Sequence, residues 1–488
     1  MASANCARCL TQPTTAAAVA APRVLSQRIV PVITSYAAAA PSGSALFSTT
    51  SALAAGGANA STMRKVQHWG KHIRRGKINQ NSKKKRENIK VKKPAPGERK
   101  AFRKRITLSN NSALLVEGLK VVDGTTMSSV EAQGTMVGLP DQLVDQLRTL
   151  EAFKIHQPWG LFRKPHMLVR EETVKLVSRV DKAVQERQTL RTVLTGDKVG
   201  GKSMLLLQTM AHALMNNWVV INIPEAQDLT NSNTDYSPVP NSKPLQFYQP
   251  TYCFNLLQQI MKANGSVLKK HKITKEYPEL LHVPKDGTLY DIANAAKETE
   301  FAWPAFQALW SELTTAPGGP PVLLTLDGLS HIMKISAYRD PAFNLVHAHD
   351  LTLVRLFVDA LSGKTPLANG GAVIAATSRS NAPRSPSMEL ALAQSAAAAE
   401  GLHVPTPDPY GKGYDDRIYE SVRNVETFNV SGVSRDEARA VMEYWAASGM
   451  YRSRVDAGSV GEKWTVAGGG ILGELERASL LNTRMLQY

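Results

Sequence analysis

Cysteine is nearly absent from this 488-residue chain: Cys6, Cys9 and Cys253 are the whole complement. Cys6 and Cys9 form a C-x-x-C, but the sequence holds no second pair to complete a zinc site, and the segment around them has the composition of a cleavable leader. Only Cys253 is left in the remainder, so an internal disulfide framework is excluded, which fits a reducing compartment. Acidic residues are missing from residues 1–63, where Arg8, Arg23 and Arg28 are the only charges among abundant Ala, Ser and Thr. That composition matches a mitochondrial transit peptide with a low-complexity tail, and it lacks the compact apolar run of a secretory signal. Long apolar runs are lacking too. The uncharged interval 29–63 is broken by Pro31, Pro41, Gly43, Gly56 and Gly57, so no membrane span is expected there. The expected location is the mitochondrial matrix, with no membrane partner.

Charge of one sign is concentrated in one place. The net charge is +17, and residues 64–105 alone carry 18 Lys and Arg against Glu87 and Glu98. With the leader set aside, the rest of the chain sums to about −2. The basicity therefore belongs to an arm, and a uniformly basic body is excluded. Within the arm stand Arg74 and Arg75, then Lys83, Lys84, Lys85 and Arg86, then Lys92 and Lys93, then Arg103, Lys104 and Arg105, with Trp69 and Phe102 as isolated aromatics. Solvated charge or a nuclear address are other readings of such clusters. A long basic run behind a mitochondrial leader, attached to a neutral body, points instead to RNA phosphates, bound without sequence preference and with strong salt dependence. Residues 64–138 are read as this RNA-contacting arm and its linker.

The densest chemical signal lies at Gly196, Asp197, Lys198, Val199, Gly200, Gly201, Lys202 and Ser203, which reads G-x-x-x-x-G-K-S. Glycines allow the tight turn that aims successive N–H groups at phosphate oxygens. Lys202 reaches the outer phosphates and the Ser203 hydroxyl ligates Mg²⁺, with Met204 following in the bound segment. The context supports the motif. Leu190–Thr195 reads as a buried strand entering the loop, and Met204–Asn216 as a helix leaving it. Helices are expected over Asp141–Phe153, Arg170–Arg187, Tyr252–Ala263, Asp291–Leu313 and Leu351–Leu361. Buried strands are expected over Trp218–Ile223, Val322–Asp327 and Gly371–Thr377. Strands alternating with helices predict a parallel sheet with helices on both faces, that is, an α/β P-loop NTPase fold of AAA-like type, occupying 139–378. Residues 379–424 read as an Ala/Pro-rich surface insertion, and 231–250 as an exposed polar excursion. In 425–488, Ser434 and Glu437 have capping-box spacing ahead of a helix to about Ser448. A short strand at Lys463–Val466, three glycines and a last helix from Ile471 complete a small, mainly helical subdomain with a winged-helix-like pattern.

Asp327, at the end of an apolar strand interrupted by Thr325, suits a role in the Mg²⁺ shell through water. The next residue, where AAA-type enzymes place a water-activating carboxylate, is Gly328. Loss of such a base removes a factor of roughly 10²–10⁴, so binding with little or no turnover is expected. Glu225 and Asp228 are candidate substitutes without motif support. Thr377, Ser378, Arg379 and Arg384 could face phosphates. The guanine signature of switching GTPases is missing: Thr274-Lys275-Glu276-Tyr277 lacks its Asp, and Asp327-Gly328-Leu329-Ser330 is not D-x-x-G.

Two strings carry a resemblance: Leu194-Thr195-Gly196 through Ser203, and Asn217-Trp218-Val219-Val220-Ile221-Asn222-Ile223-Pro224-Glu225-Ala226. Together with the Pro-led strand ending Asp327-Gly328, they resemble the death-associated protein 3 family of mitochondrial small-subunit ribosomal proteins. The resemblance spans roughly 139–380 and 425–488. It implies an AAA-like nucleotide domain in the head of the small subunit near the subunit interface, touching small-subunit rRNA, neighbouring ribosomal proteins and large-subunit bridges. It further implies bound GTP or GDP with Mg²⁺, structural more than catalytic; ATP stays open, and no base-reading residue aligns. The family's reported pro-apoptotic role in animals has no counterpart in these residues. Two other readings stay open: a matrix ATPase of the signal-transducing AAA-like type, and an RNA-binding assembly factor that uses the arm.

Overall fold

A computed structural model describes residues 106–484, apart from 279, 281, 282, 285 and 381. The expected transit peptide, and the arm residues from Arg74 to Arg105, lie outside the described residues. Five strands form the central sheet: β1 (Thr189–Gly196), β2 (Val219–Ile223), β3 (Val322–Asp327), β4 (Gly371–Ala376) and β5 (Glu426–Val430). Their order is β5-β1-β4-β3-β2, and every pairing is parallel. β4 thus lies between the strand that enters the glycine loop and the strand that ends in Asp327.

Helices cover both faces, because the strand residues alternate between two apolar clusters. Val219, Ile221, Val322, Leu324, Leu326, Val373 and Ala375 point to one cluster. It is completed by helices α4 (Pro250–Ala263), α5 (Ala302–Thr315), α6 (Thr352–Ser362), α7 (Pro386–Glu400) and α8 (Asp416–Val422). Leu194, Val220, Leu323, Ala372 and Ile374 point the other way, against α1 (Asp141–Thr149), α2 (Glu171–Gln185) and α3 (Lys202–Met215). Strands buried on both faces read as continuous apolar runs, which is why β2, β3 and β4 were visible in the sequence. Thr325, the interruption in β3, lies opposite Asn222 and donates to its Oδ1 at 2.8 Å. Asn222 in turn donates to the Leu150 carbonyl at 2.8 Å, which meets a chain end that α1 leaves open. A buried polar pair is thereby satisfied, and the turn after α1 is tied to the sheet.

Several expectations are corrected. The helix expected to reach Phe153 ends at Thr149, and Glu151 takes a positive φ of 53°. The stretch expected as one helix from Asp291 is two, Leu289–Ala295 and α5; Pro304 falls in the first turn of α5, where its missing N–H has no intrahelical acceptor to lose. The interval 379–424 is not a purely surface insertion, since α7 opens with Pro386 at its first position and buries Met388, Ala391 and Leu392. The alanine run merely obscures its amphipathic pattern. Residues 106–138 are packed instead of linking: Leu108, Val122, Met127 and Val137 join the cluster under α1 and α2. In the polar excursion, Phe247 and Gln249 are buried.

The interval 425–488 contributes β5 to the sheet, a strand the sequence reading did not assign, before it turns helical. Three helices follow: α9 (Arg435–Ala447), α10 (Ala457–Val466) and α11 (Leu472–Arg484). The strand expected at Lys463–Val466 is the last turn of α10, whose start is set by Asp456 and Ser459 in a capping box. The capping box at Ser434 and Glu437 is present as expected. Glu437 has a second task, accepting from the Glu171 N–H at 3.0 Å and so joining α9 to α2.

Candidate nucleotide site

The loop between β1 and α3 is shaped by its glycines. Gly196 has φ +133°, and a Cβ there would collide with the Val430 carbonyl of β5. Gly201 caps α3 in the left-handed region, φ 102° and ψ 9°. The first N–H groups of α3 have no intrahelical acceptors and carry the positive end of the helix dipole, a natural anion cradle. Val199, also left-handed at φ 53°, offers its carbonyl to the Gly473 N–H of α11 at 3.1 Å.

Several polar and charged side chains of the motif meet at the loop. Lys202 is buried and donates to the carbonyls of Gly196 at 3.1 Å and Asp197 at 2.6 Å. Burial lowers its pKa, helped by the Arg379 charge and opposed by Asp327 and Asp197. Ser203 Oγ donates to Asp327 Oδ2 at 2.7 Å, so the two expected metal-shell residues meet across 124 positions of chain. This donor set, a hydroxyl beside a carboxylate at a helix N-terminus, suits a hard divalent cation accompanied by phosphate oxygens. Ser203 would hold the ion and Asp327 its water shell. Lys198 is exposed, and Met204 accepts from Gln157 Nε2 at 3.1 Å.

Three residues of this neighbourhood were not anticipated. Lys154 Nζ lies 3.2 Å from Asp327 Oδ2 and also donates to the Pro224 carbonyl. Arg170 donates to the carbonyls of Gly200 at 3.1 Å and Ser431 at 2.7 Å, bracing the loop against the chain beyond β5. His331 lies beside Gly328, with its Nδ1 buried and without a partner among the described residues. Its pKa is lowered by burial first and by Lys334 second, against the pull of Asp327. No spacing rule points to Lys154 or Arg170, because each reaches the loop from a separate element.

The other candidates separate. Thr377 Oγ1 donates to the Leu194 carbonyl at 3.0 Å, at the loop's entrance. Ser378 bonds within its own turn, to the Ser380 carbonyl. Arg379 pairs with Asp197 at 3.3 Å, both side chains about two-thirds exposed at 65% and 66%. Arg384 is exposed. Glu225 lines a cavity of about 460 Å³ together with Arg148, Glu151 and Lys154, while Asp228 is buried in the turn Gln227–Thr230. Gly328 is itself left-handed, φ 87° and ψ 46°, a conformation that costs an L-residue about 1–2 kcal/mol. The backbone therefore disfavours a carboxylate at the position after Asp327.

Residues 167–478 match the family model described as mitochondrial ribosomal death-associated protein 3. A Neurospora crassa protein named small ribosomal subunit protein mS29 is 47% identical over 488 residues, covering 99% of this chain and 100% of that protein. A Schizosaccharomyces pombe protein of the same name is 26% identical over 382 residues, covering 74% of this chain and 77% of that one. Among solved structures, a Walker-type ATPase of Pyrococcus abyssi shares 14% identity, with coverage of 64% and 71% and a TM-score of 0.33.

Proposed function

The chain belongs to the mitochondrial ribosomal death-associated protein 3 family, and from that premise we propose that it is a structural constituent of the mitochondrial small ribosomal subunit, acting in matrix translation, with a guanine nucleotide and Mg²⁺ held at Gly196–Ser203. The observation that carries the ribosomal part is the 47% identity to a small-subunit protein along essentially the whole chain. The nucleotide part is supported by the glycine cradle, by the Ser203–Asp327 contact at 2.7 Å, and by a strand order that inserts β4 between the strand entering the loop and the strand ending in Asp327, as in AAA-like P-loop domains.

The residues favour retention over turnover. Loop N–H groups and Lys202 bind phosphate charge, and Ser203 and Asp327 orient the cation shell. At the place of a water-activating carboxylate stands a left-handed glycine. The arm residues from Arg74 to Arg105 supply the charge for rRNA contact in this reading, with neighbouring ribosomal proteins and large-subunit bridges as further partners.

Isolation of native mitochondrial small subunits, followed by denaturation and chromatography of the released nucleotide, tests the reading. The expected result is this chain in one copy per subunit with close to one GDP or GTP. An adenine nucleotide would overturn the base assignment, no nucleotide the site, and absence of the chain from mature subunits the ribosomal role.

A further inference from the structure

We propose that Lys154 is a resident counter-charge for Asp327, and that it lets the loop retain a nucleotide largely without a divalent cation. The inference rests on the nucleotide reading of Gly196–Ser203. Three observations carry it. First, the ammonium of Lys154 and the hydroxyl of Ser203 converge on one oxygen, Asp327 Oδ2, at 3.2 and 2.7 Å. Second, the pair is shielded: the side chains of Lys154 and Asp327 keep 21% and 16% of their exposure, so salt and water weaken it less than a surface pair. Third, Lys154 is fixed in place. Its N–H donates to Gln157 Oε1 at 2.8 Å, and the same amide oxygen accepts from Trp159 Nε1 at 2.7 Å. Gln157 Nε2 reaches Met204 at the start of α3, so the lysine's loop is tied to the helix that carries the cradle.

The electrostatic consequence follows from one carboxylate serving two cations. A divalent ion at Ser203 gains attraction from the negative charge on Asp327, and an ammonium already paired with that charge cancels much of the gain. The ammonium at the same time adds positive charge beside the phosphate end of the cradle. Nucleotide affinity thereby shifts from the exchangeable ion to the chain itself. Lys154 acts here as a positioning and charge-setting residue, through Asp327.

The test is titration of the full-length protein with N-methylanthraniloyl-labelled GDP, in Mg²⁺ and again in EDTA, with thermal unfolding of each variant as a check on folding. The wild-type chain is expected to lose less than about tenfold in affinity on Mg²⁺ removal. Lys154→Met is expected to widen that ratio by about tenfold, mainly through weaker binding in EDTA, from a one-charge change at short range. Lys154→Arg, which keeps the charge, should restore a small ratio. Wild-type binding that disappears in EDTA overturns the proposal without recourse to any variant, as does an unchanged ratio in Lys154→Met. Failure of the wild type to bind in either buffer sinks the nucleotide reading and this inference with it, a result distinct from both.

Discussion

The two flanks of the glycine loop are built differently. On the β3 flank, side chains do the holding: the Lys154 ammonium and the Ser203 hydroxyl converge on one carboxylate oxygen of Asp327. On the β5 flank, backbone does it. Gly196 lies against the Val430 carbonyl, the Val199 carbonyl accepts from Gly473, and the Arg170 guanidinium donates to the main-chain oxygens of Gly200 and Ser431 and to the Glu172 carboxylate. Shape is therefore imposed from β5 and α11, and the charged and hydroxyl side chains come from β3, the start of α3 and the turn after α1. Substitutions on one flank should disturb the fold, and those on the other should disturb binding.

The sharpest break is expected from Gly196→Val. The added carbons meet backbone, which cannot swing aside, at a φ that L-residues avoid. A loss of about 3 kcal/mol or more is expected, with detachment of β5 visible as fast amide exchange at Phe428 and Val430. Near-native exchange there would show that the β5 flank does not set the loop. Lys202→Ala should leave the unliganded fold intact while removing the stabilisation due to ligand, about 2.7 kcal/mol at a free nucleotide concentration 100 times Kd. Melting curves with and without nucleotide separate the two effects.

The junction between the α/β domain and the terminal helices carries a buried histidine whose titration couples to stability. His166 packs against Phe162 and Tyr444, with ring centroids 4.4 and 4.1 Å away, and burial lowers its pKa to about 4. The unfolded chain then binds more protons than the folded one at acid pH. The stability tied to neutral His166 is whole above the unfolded value near 6.5 and is lost as pH falls from there towards 4. A decrease of order 1–2 kcal/mol between pH 7 and pH 5 is expected, and His166→Phe should flatten that slope in urea titrations at the two pH values. The smallest effect belongs to Arg379→Ala. Its pair with Asp197 is exposed, so stability should move by no more than about 0.5 kcal/mol. A larger loss of nucleotide affinity than of stability in this variant would move Arg379 onto the ligand side of the comparison.

The sheet was readable because buried parallel strands announce themselves as apolar runs, and the loop because its glycines fall between an apolar strand and a helical pattern. Ser434–Glu437 was readable for a local reason, two residues capping each other three positions apart. β5 was not: Glu426-Thr427-Phe428-Asn429-Val430 is an edge strand, and its exposed Glu and Asn give it no continuous apolar signature. α7 was hidden by its alanines and α10 by Trp464, Thr465 and Val466, whose strand preference yields to a cap seven or more residues upstream. In the site, Ser203 and Asp327 could be paired in advance because each belongs to a motif. Lys154, Arg170 and His331 could not, since only tertiary folding brings them to the loop.

The distances along the chain that close this loop have a consequence in time. Thr195 bonds to Phe428 across 233 positions, and Arg170 to Ser431 across 261. A ribosome making this protein releases the glycine loop long before its β5 braces exist. The cradle can therefore reach its final shape only when synthesis is nearly finished, and a chain that stops short of Gly473 lacks a support for Val199 even with every motif residue in place. Under the proposed function, nucleotide capture would therefore come late, after β5 and the start of α11 have been made.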